Sequence, residues 1–223
     1  MTRRPFSGAA LIAALMLAPV GLSACQTASY ALQERLLDKE KRDILVERVE
    51  AVSKEQVAAK EEFADALEAF RAVVAVDGGE LETKYDQLKR AHDRADAQAG
   101  DVRARVAQVK RVSRDLFREW ESELGEYSDP GLRRASEAQL RDTRVRYEQL
   151  AATMDDAVAS MEPVLSVFND RVLFLKHNLN ARAIASLDGE TAVLEGDVAR
   201  LIAEMEESIA AADAFIRDMR GSA

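Results

Sequence analysis

Apolar residues recur along this chain at alternating spacings of four and three. One run reads Leu45, Val49, Val52, Gln56, Ala59, Phe63, Ala66, Phe70, Val73, and a second runs from Leu81 through Tyr85, Leu88, His92 and Ala95 to Leu116 and Trp120. A third links Leu140, Thr143, Tyr147, Leu150, Met154, Ala157, Met161, Val164 and Phe168, and a fourth Leu194, Val198, Leu201, Met205, Ser208, Ala212, Phe215 and Met219. A sustained 3.5-residue repeat draws a narrow apolar seam on a helix, and such a seam is buried only against other helices. The breakers fall between the runs, at Asp77-Gly78-Gly79, Ser128-Asp129-Pro130-Gly131 and Asp188-Gly189. Four helices are therefore predicted, over residues 29–76, 80–127, 132–187 and 190–220. Short turns make neighbours antiparallel. The predicted fold is all-α: an elongated antiparallel helical bundle or coiled coil of three long helices and a shorter fourth.

Within these runs some residues break the local rule. Pro163 lies inside the third helix, but the repeat passes through it in phase, which predicts a kink rather than a chain reversal. After Phe168 the seam shifts to Val172, Leu175 and Leu179, a spacing that locally unwinds a supercoil. Gly100 and Gly196 sit in helix interiors, where glycine costs about 1 kcal/mol relative to alanine, and they read as bends or close approaches. The stretch FLKHNLNARAIASL, residues 174–187, places the poor helix formers His177, Asn178 and Asn180 within a predicted helix. Lys176, His177, Asn178, Asn180 and Arg182 there form a polar strip that is a candidate partner-binding site. His92 and His177, the only two histidines, are predicted at nearly the same height, which motivates a polar network. Two imidazoles without a third ligand do not make a metal site.

Before the first seam the chain has a different character. Arg3 and Arg4 precede an apolar run from Ala9 to Val20, followed by small residues and the single cysteine, Cys25. This is the layout of a secretory signal, cleaved rather than membrane-spanning. Leu22, Ser23, Ala24 and Cys25 resemble the bacterial lipobox, in which the cysteine is acylated and becomes the first residue of the mature chain. Acyl chains partition at about 0.8 kcal/mol per buried CH₂, so a multiply acylated Cys25 would hold the protein on a membrane. Gln26 in place of Asp favours the outer membrane, by resemblance to enterobacterial lipoproteins. Thr2 to Phe6 partly resembles a twin-arginine signal, although a generic basic start accounts for it. The expected organisation is a signal peptide over residues 1–24, an anchored start over 25–40 and one helical domain over 41–220. With its thiol committed to lipid, the chain has none for a disulfide.

Composition agrees with long helices: aromatics are 5% of 223 residues and prolines number 4. Losing Arg3 and Arg4 takes the formal charge from −9 to −11, which argues against a nucleic-acid partner. The charge is uneven. From Arg103 to Arg146, eleven Lys and Arg face eight Asp and Glu, whereas residues 188–223 carry nine acids against three arginines. The hairpin around Pro130 is thus predicted to be basic, and Arg133, Arg134, Arg141, Arg144 and Arg146 could touch anionic lipid or cell-wall polymer. Pairing of these arginines across the hairpin with Glu119, Glu121, Glu123 and Glu126 is the favoured reading. Phe117, Trp120 and Tyr127 lie toward the same tip, with Trp120 at a seam position.

Catalytic signatures do not emerge. The chain has no G-x-x-x-x-G-K-[ST] loop, no G-x-S-x-G and no H-E-x-x-H, so neither an enzyme nor a cofactor is expected. The stretches KRDILVERVE, FRAVVAVDGGELETKYDQL, SDPGLRRASEAQLRDTRVRYEQL and LFLKHNLNARAIASLDGE resemble a bacterial family of lipoproteins grouped as domain of unknown function 2959, over about residues 41–215. That resemblance implies an envelope location and a helical fold, and it lends no activity or functional residues. The expected role is a structural or scaffold protein that binds an envelope partner, alternatively a carrier or chaperone-like module holding lipid, cell-wall polymer or an unfolded client. Seams on several faces also leave room for pairing with a second copy.

Overall fold

The computed structural model describes residues 40–76 and 80–221, and the leader, Cys25, the start of the first predicted helix and the Asp77-Gly78-Gly79 turn lie outside them. The described residues form an all-α bundle without strands. Helix α1 spans Lys41–Val74, α2 Leu81–Glu123, α3 Pro130–His177, α4 Ala181–Leu187 and α5 Thr191–Gly221, with a 3₁₀ turn at Asp188–Glu190 before α5. Helix α1 packs against α2 and α5, and α3 packs against the same two. The four long helices therefore stand at the corners of a square, each antiparallel to its neighbours.

The seams meet inside that square. Phe63, Phe70, Phe168, Leu45, Leu88, Leu150, Met154, Met161, Leu175 and Leu201 are fully buried, and all but one, Leu175, belong to the four-three runs, Leu175 following the shift after Phe168. Ion pairs staple the outer edges: Lys60 to Glu206 at 2.6 Å and Arg71 to Glu195 at 2.7 Å join α1 to α5, and Arg94 to Glu62 at 2.8 Å joins α2 to α1. Lys110 meets Asp155, and Arg171 meets Glu190. Exposed pairs of this kind contribute about 0–1 kcal/mol each. Burial of the seam is the main stabilising term.

Two expectations about the elements change. The third helix does not run to residue 187. It ends at His177, and the chain turns through Asn178–Asn180 before starting α4. Asn178 closes α3 with φ −128° and ψ 46°, and its side-chain amide donates to the Phe174 carbonyl. Asn180 opens α4, its Oδ1 accepting from the Ala183 N–H at 3.1 Å in the N-cap arrangement. Ala183, Ile184 and Leu187 are buried, and α4 lies against α1 as a lid over that end of the square. Gly100 and Gly196 are not close approaches, because a Cβ at either would meet nothing within 4 Å. Pro163 is exposed and α3 continues through it without reversal.

At the opposite end α2 and α3 outrun their neighbours. Helix α3 starts under a double cap, the Asp129 carboxylate accepting from the Gly131 and Leu132 N–H groups with Pro130 in the first turn. At ~1.5 Å per residue, α2 and α3 are about 65 and 72 Å long, against about 51 Å for α1 and 46 Å for α5. The starting end of α1 and the finishing end of α5 meet α2 and α3 near Trp120 and Gln139. Beyond that level, among the described residues, α2 and α3 continue as a two-helix hairpin.

Candidate functional site

A polar pair crosses the bundle interior between α1 and α5. Gln56 on α1 and Ser208 on α5 are both fully buried, and the Gln56 amide donates to the Ser208 hydroxyl at 3.0 Å. The Gln56 Oε1 finds no protein donor. Both residues hold seam positions, so an apolar pair would fill the space. A buried polar pair of this kind penalises misaligned helix registers, in which either group would lose its partner. The two histidines do not build a comparable layer. His92 is 13% exposed and turns to Asp93 at 3.5 Å, while His177 stands exposed at the end of α3. The Lys89 ammonium, and then His92, hold the Asp93 carboxyl below its usual range. Among the described residues no group of three or more His, Cys, Asp or Glu is placed to hold a metal.

The polar strip is divided between structure and surface. Asn178 and Asn180 are engaged in ending α3 and starting α4. Lys176, His177 and Arg182 are exposed around that turn. Beside them on α3 lie the exposed apolar residues Leu173 and Phe174, and Val193 is 68% exposed on the first turn of α5. This corner thus combines cationic groups with uncovered apolar area. Sequence periodicity located the stretch but read it as continuous helix.

At the hairpin end the arginines also divide. Arg144 pairs with Glu121 at 2.9 Å and lies 5.1 Å over the Phe117 ring, Arg141 pairs with Glu137 on its own helix, and Arg146 reaches Asp218 on α5. Cross-hairpin pairing was the favoured reading, and Arg144 alone follows it, since Glu119 bonds Lys41 at 2.7 Å. Arg133 and Arg134 are exposed and make no ion pair among the described residues. The tip is not basic: from Glu119 to Glu137 six carboxylates face two arginines. Burial, with Glu119, Glu126 and Glu40 nearby, holds the Glu123 carboxyl above its usual range.

Between the square and the hairpin lies a notch of about 200 Å³, lined on its apolar side by Leu116, Trp120 and Met219 and on its charged side by Glu40, Lys41, Glu119 and Glu123. Trp120 is half-buried and donates through Nε1 to the Ser136 hydroxyl at 2.8 Å. Above it Tyr147 sits edge-on between Phe117 (5.4 Å) and Phe215 (6.3 Å). Burial pushes the Tyr147 phenol above its ordinary value, opposed by a hydrogen bond with Ser113.

No helix among the described residues is long and apolar enough to cross a membrane. The model of a family described as protein of unknown function (DUF2959) matches residues 29–219. No curated protein matches the chain.

Proposed function

The chain belongs to the family described as protein of unknown function (DUF2959), and on that footing we propose that it is a lipid-anchored envelope protein, held through Cys25 at the outer membrane and facing the periplasm. It acts without catalysis, as a scaffold that presents a binding corner at the α3–α4 end of the bundle. One observation carries this reading: Lys176, His177 and Arg182 stand exposed beside uncovered Leu173 and Phe174. Exposed apolar area edged by cations suits an acidic protein surface with an apolar centre. The filled seam supports a scaffold over a carrier, because ten of the largest buried side chains occupy the space a lipid or client would need.

Charge reversal tests the corner. Lys176→Glu with Arg182→Glu leaves the caps at Asn178 and Asn180 in place, so helicity should match the parent by circular dichroism. Recovery of the envelope partner in an affinity capture should fall at least tenfold. Unchanged capture with intact helicity would remove this corner from the binding surface.

A further inference from the structure

The bonds between α1 and α2 fix which of their residues stand at one height. Arg94 meets Glu62 at 2.8 Å, and the Glu55 carboxylate accepts from Gln98 at 2.9 Å and from Arg105 at 3.4 Å. Beside these bonds each helix carries an outer stripe at helical spacing, Lys54, Ala58, Glu61 and Asp65 on α1 and Arg90, Ala97, Asp101 and Ala104 on α2, and all but Ala58 are exposed. Glu55 lies midway between Gln98 and Arg105, so Lys54 is level with Asp101 to within a helical turn. Asp65, three residues beyond Glu62, is level with Arg90 in the same way. The face starts about 20 Å along α1 from Lys41, in the middle of the bundle.

The signs on this face reverse with height. Near the turn joining α1 to α2, Glu61 and Asp65 stand on α1 and Arg90 on α2; lower down, Lys54 stands on α1 and Asp101 on α2. Lys54, Glu61, Arg90 and Asp101 make no ion pair among the described residues, and Asp65 reaches only Arg94, at 3.6 Å. A two-fold axis parallel to the helices keeps every height and sets α1 of one copy on α2 of another. Lys54 then meets Asp101 and Asp65 meets Arg90, each twice over, and neither level brings like charges together. Between the two levels the facing side chains are Ala58, Ala97 and Ala104, short enough for the helices to approach closely. A patch of about 30 by 20 Å on each copy would bury roughly 1,200 Å² in total, the lower end for a specific contact. Copies held on one membrane meet at a raised effective concentration, which favours a contact of that size.

We propose that the outer α1–α2 face is a self-association surface, on which two copies of this chain stand side by side and parallel, α1 of each against α2 of the other. The helices that meet are antiparallel, as they are inside the bundle. The pair closes at two copies and leaves both α3–α4 corners uncovered. Its parallel sense rests on the Cys25 anchor proposed above, which sets both chains on one membrane by the same end. The inverted pair, with Lys54 against Asp65, would carry the anchors at opposite ends.

Sedimentation of the full-length chain in detergent tests this, and since it does not depend on attachment to a membrane, loss of pairing and loss of anchoring are scored apart. At tens of micromolar the parent should sediment as two chains, and Lys54→Glu and Asp101→Lys each as one, with the parent's helicity by circular dichroism. Lys54→Glu/Asp101→Lys in a single chain should sediment as two again, and an equimolar mixture of the single variants should give a pair containing one of each. A parent that sediments as one chain, or single variants that stay paired, would overturn the proposal. So would a double variant that stays apart, the result an inverted pair would give, because Lys54→Glu then faces Asp65 and Asp101→Lys faces Arg90.

Discussion

Gln56 and Ser208 show how much a single buried bond can matter in a seam otherwise built from apolar side chains. Removing the serine hydroxyl leaves the Gln56 amide with neither of its polar atoms partnered, at a cost of about 1–3 kcal/mol. Ser208→Ala should therefore lower the unfolding free energy by that amount in a denaturant titration. Gln56→Leu combined with Ser208→Ala should recover most of the loss, since an apolar pair of similar shape needs no partner. Gly100→Ala should stabilise by roughly 0.5–1 kcal/mol, because the added methyl meets nothing and the helix interior favours alanine. Tyr147 gives the pH dependence. Its folded phenol titrates above the ordinary 10.0, so the native state keeps the proton longer than the unfolded chain does. Stability then falls as pH rises from about 10 through the raised value, and Tyr147→Phe should flatten that alkaline decline. The spacing put Gln56, Ser208 and His92 alike on seams. It could not tell which would be buried, because His92 reaches a charged neighbour at the surface while Gln56 has only Ser208 to turn to.

At the scale of elements, the long helices were legible because seam spacing and turn residues agree, and α1, α2, α3 and α5 each follow their predicted run. The break at Asn178 was not. Leu175 and Leu179 extended the periodic pattern past it, and the strong Asp188-Gly189 signal offered a later place to stop. The decisive physics lay in side chains: one asparagine amide terminates α3 and the next carboxamide caps α4. Asn180→Ala should accordingly cost about 0.5–2 kcal/mol, the usual range for a lost cap. That loss should be confined to the corner, read as faster amide hydrogen exchange over residues 181–190 with α1 and α2 unchanged. The hairpin arginines failed as a basic patch for a related reason. A count over forty residues averaged paired groups higher on the hairpin with an acidic tip, and charge acts over about a Debye length of 8–10 Å, not over a helix.

For the molecule as a whole, the described bundle has two distinct ends, a projecting hairpin and a capped corner, and the proposed function places partner binding at the corner. Cys25→Ser should move the protein from the membrane fraction to the soluble one, because no helix among the described residues is long and apolar enough to cross a membrane. The notch and the exposed corner were beyond reach of the sequence because each depends on where one helix stops relative to another. Photo-crosslinking in living cells, with the probe in place of His177 and a control probe at exposed Glu148, tests the central claim most directly. The account predicts a discrete protein adduct at position 177 that disappears with Lys176→Glu/Arg182→Glu and is absent at 148. Equal labelling at both positions, or an adduct that survives the charge reversal, would contradict it.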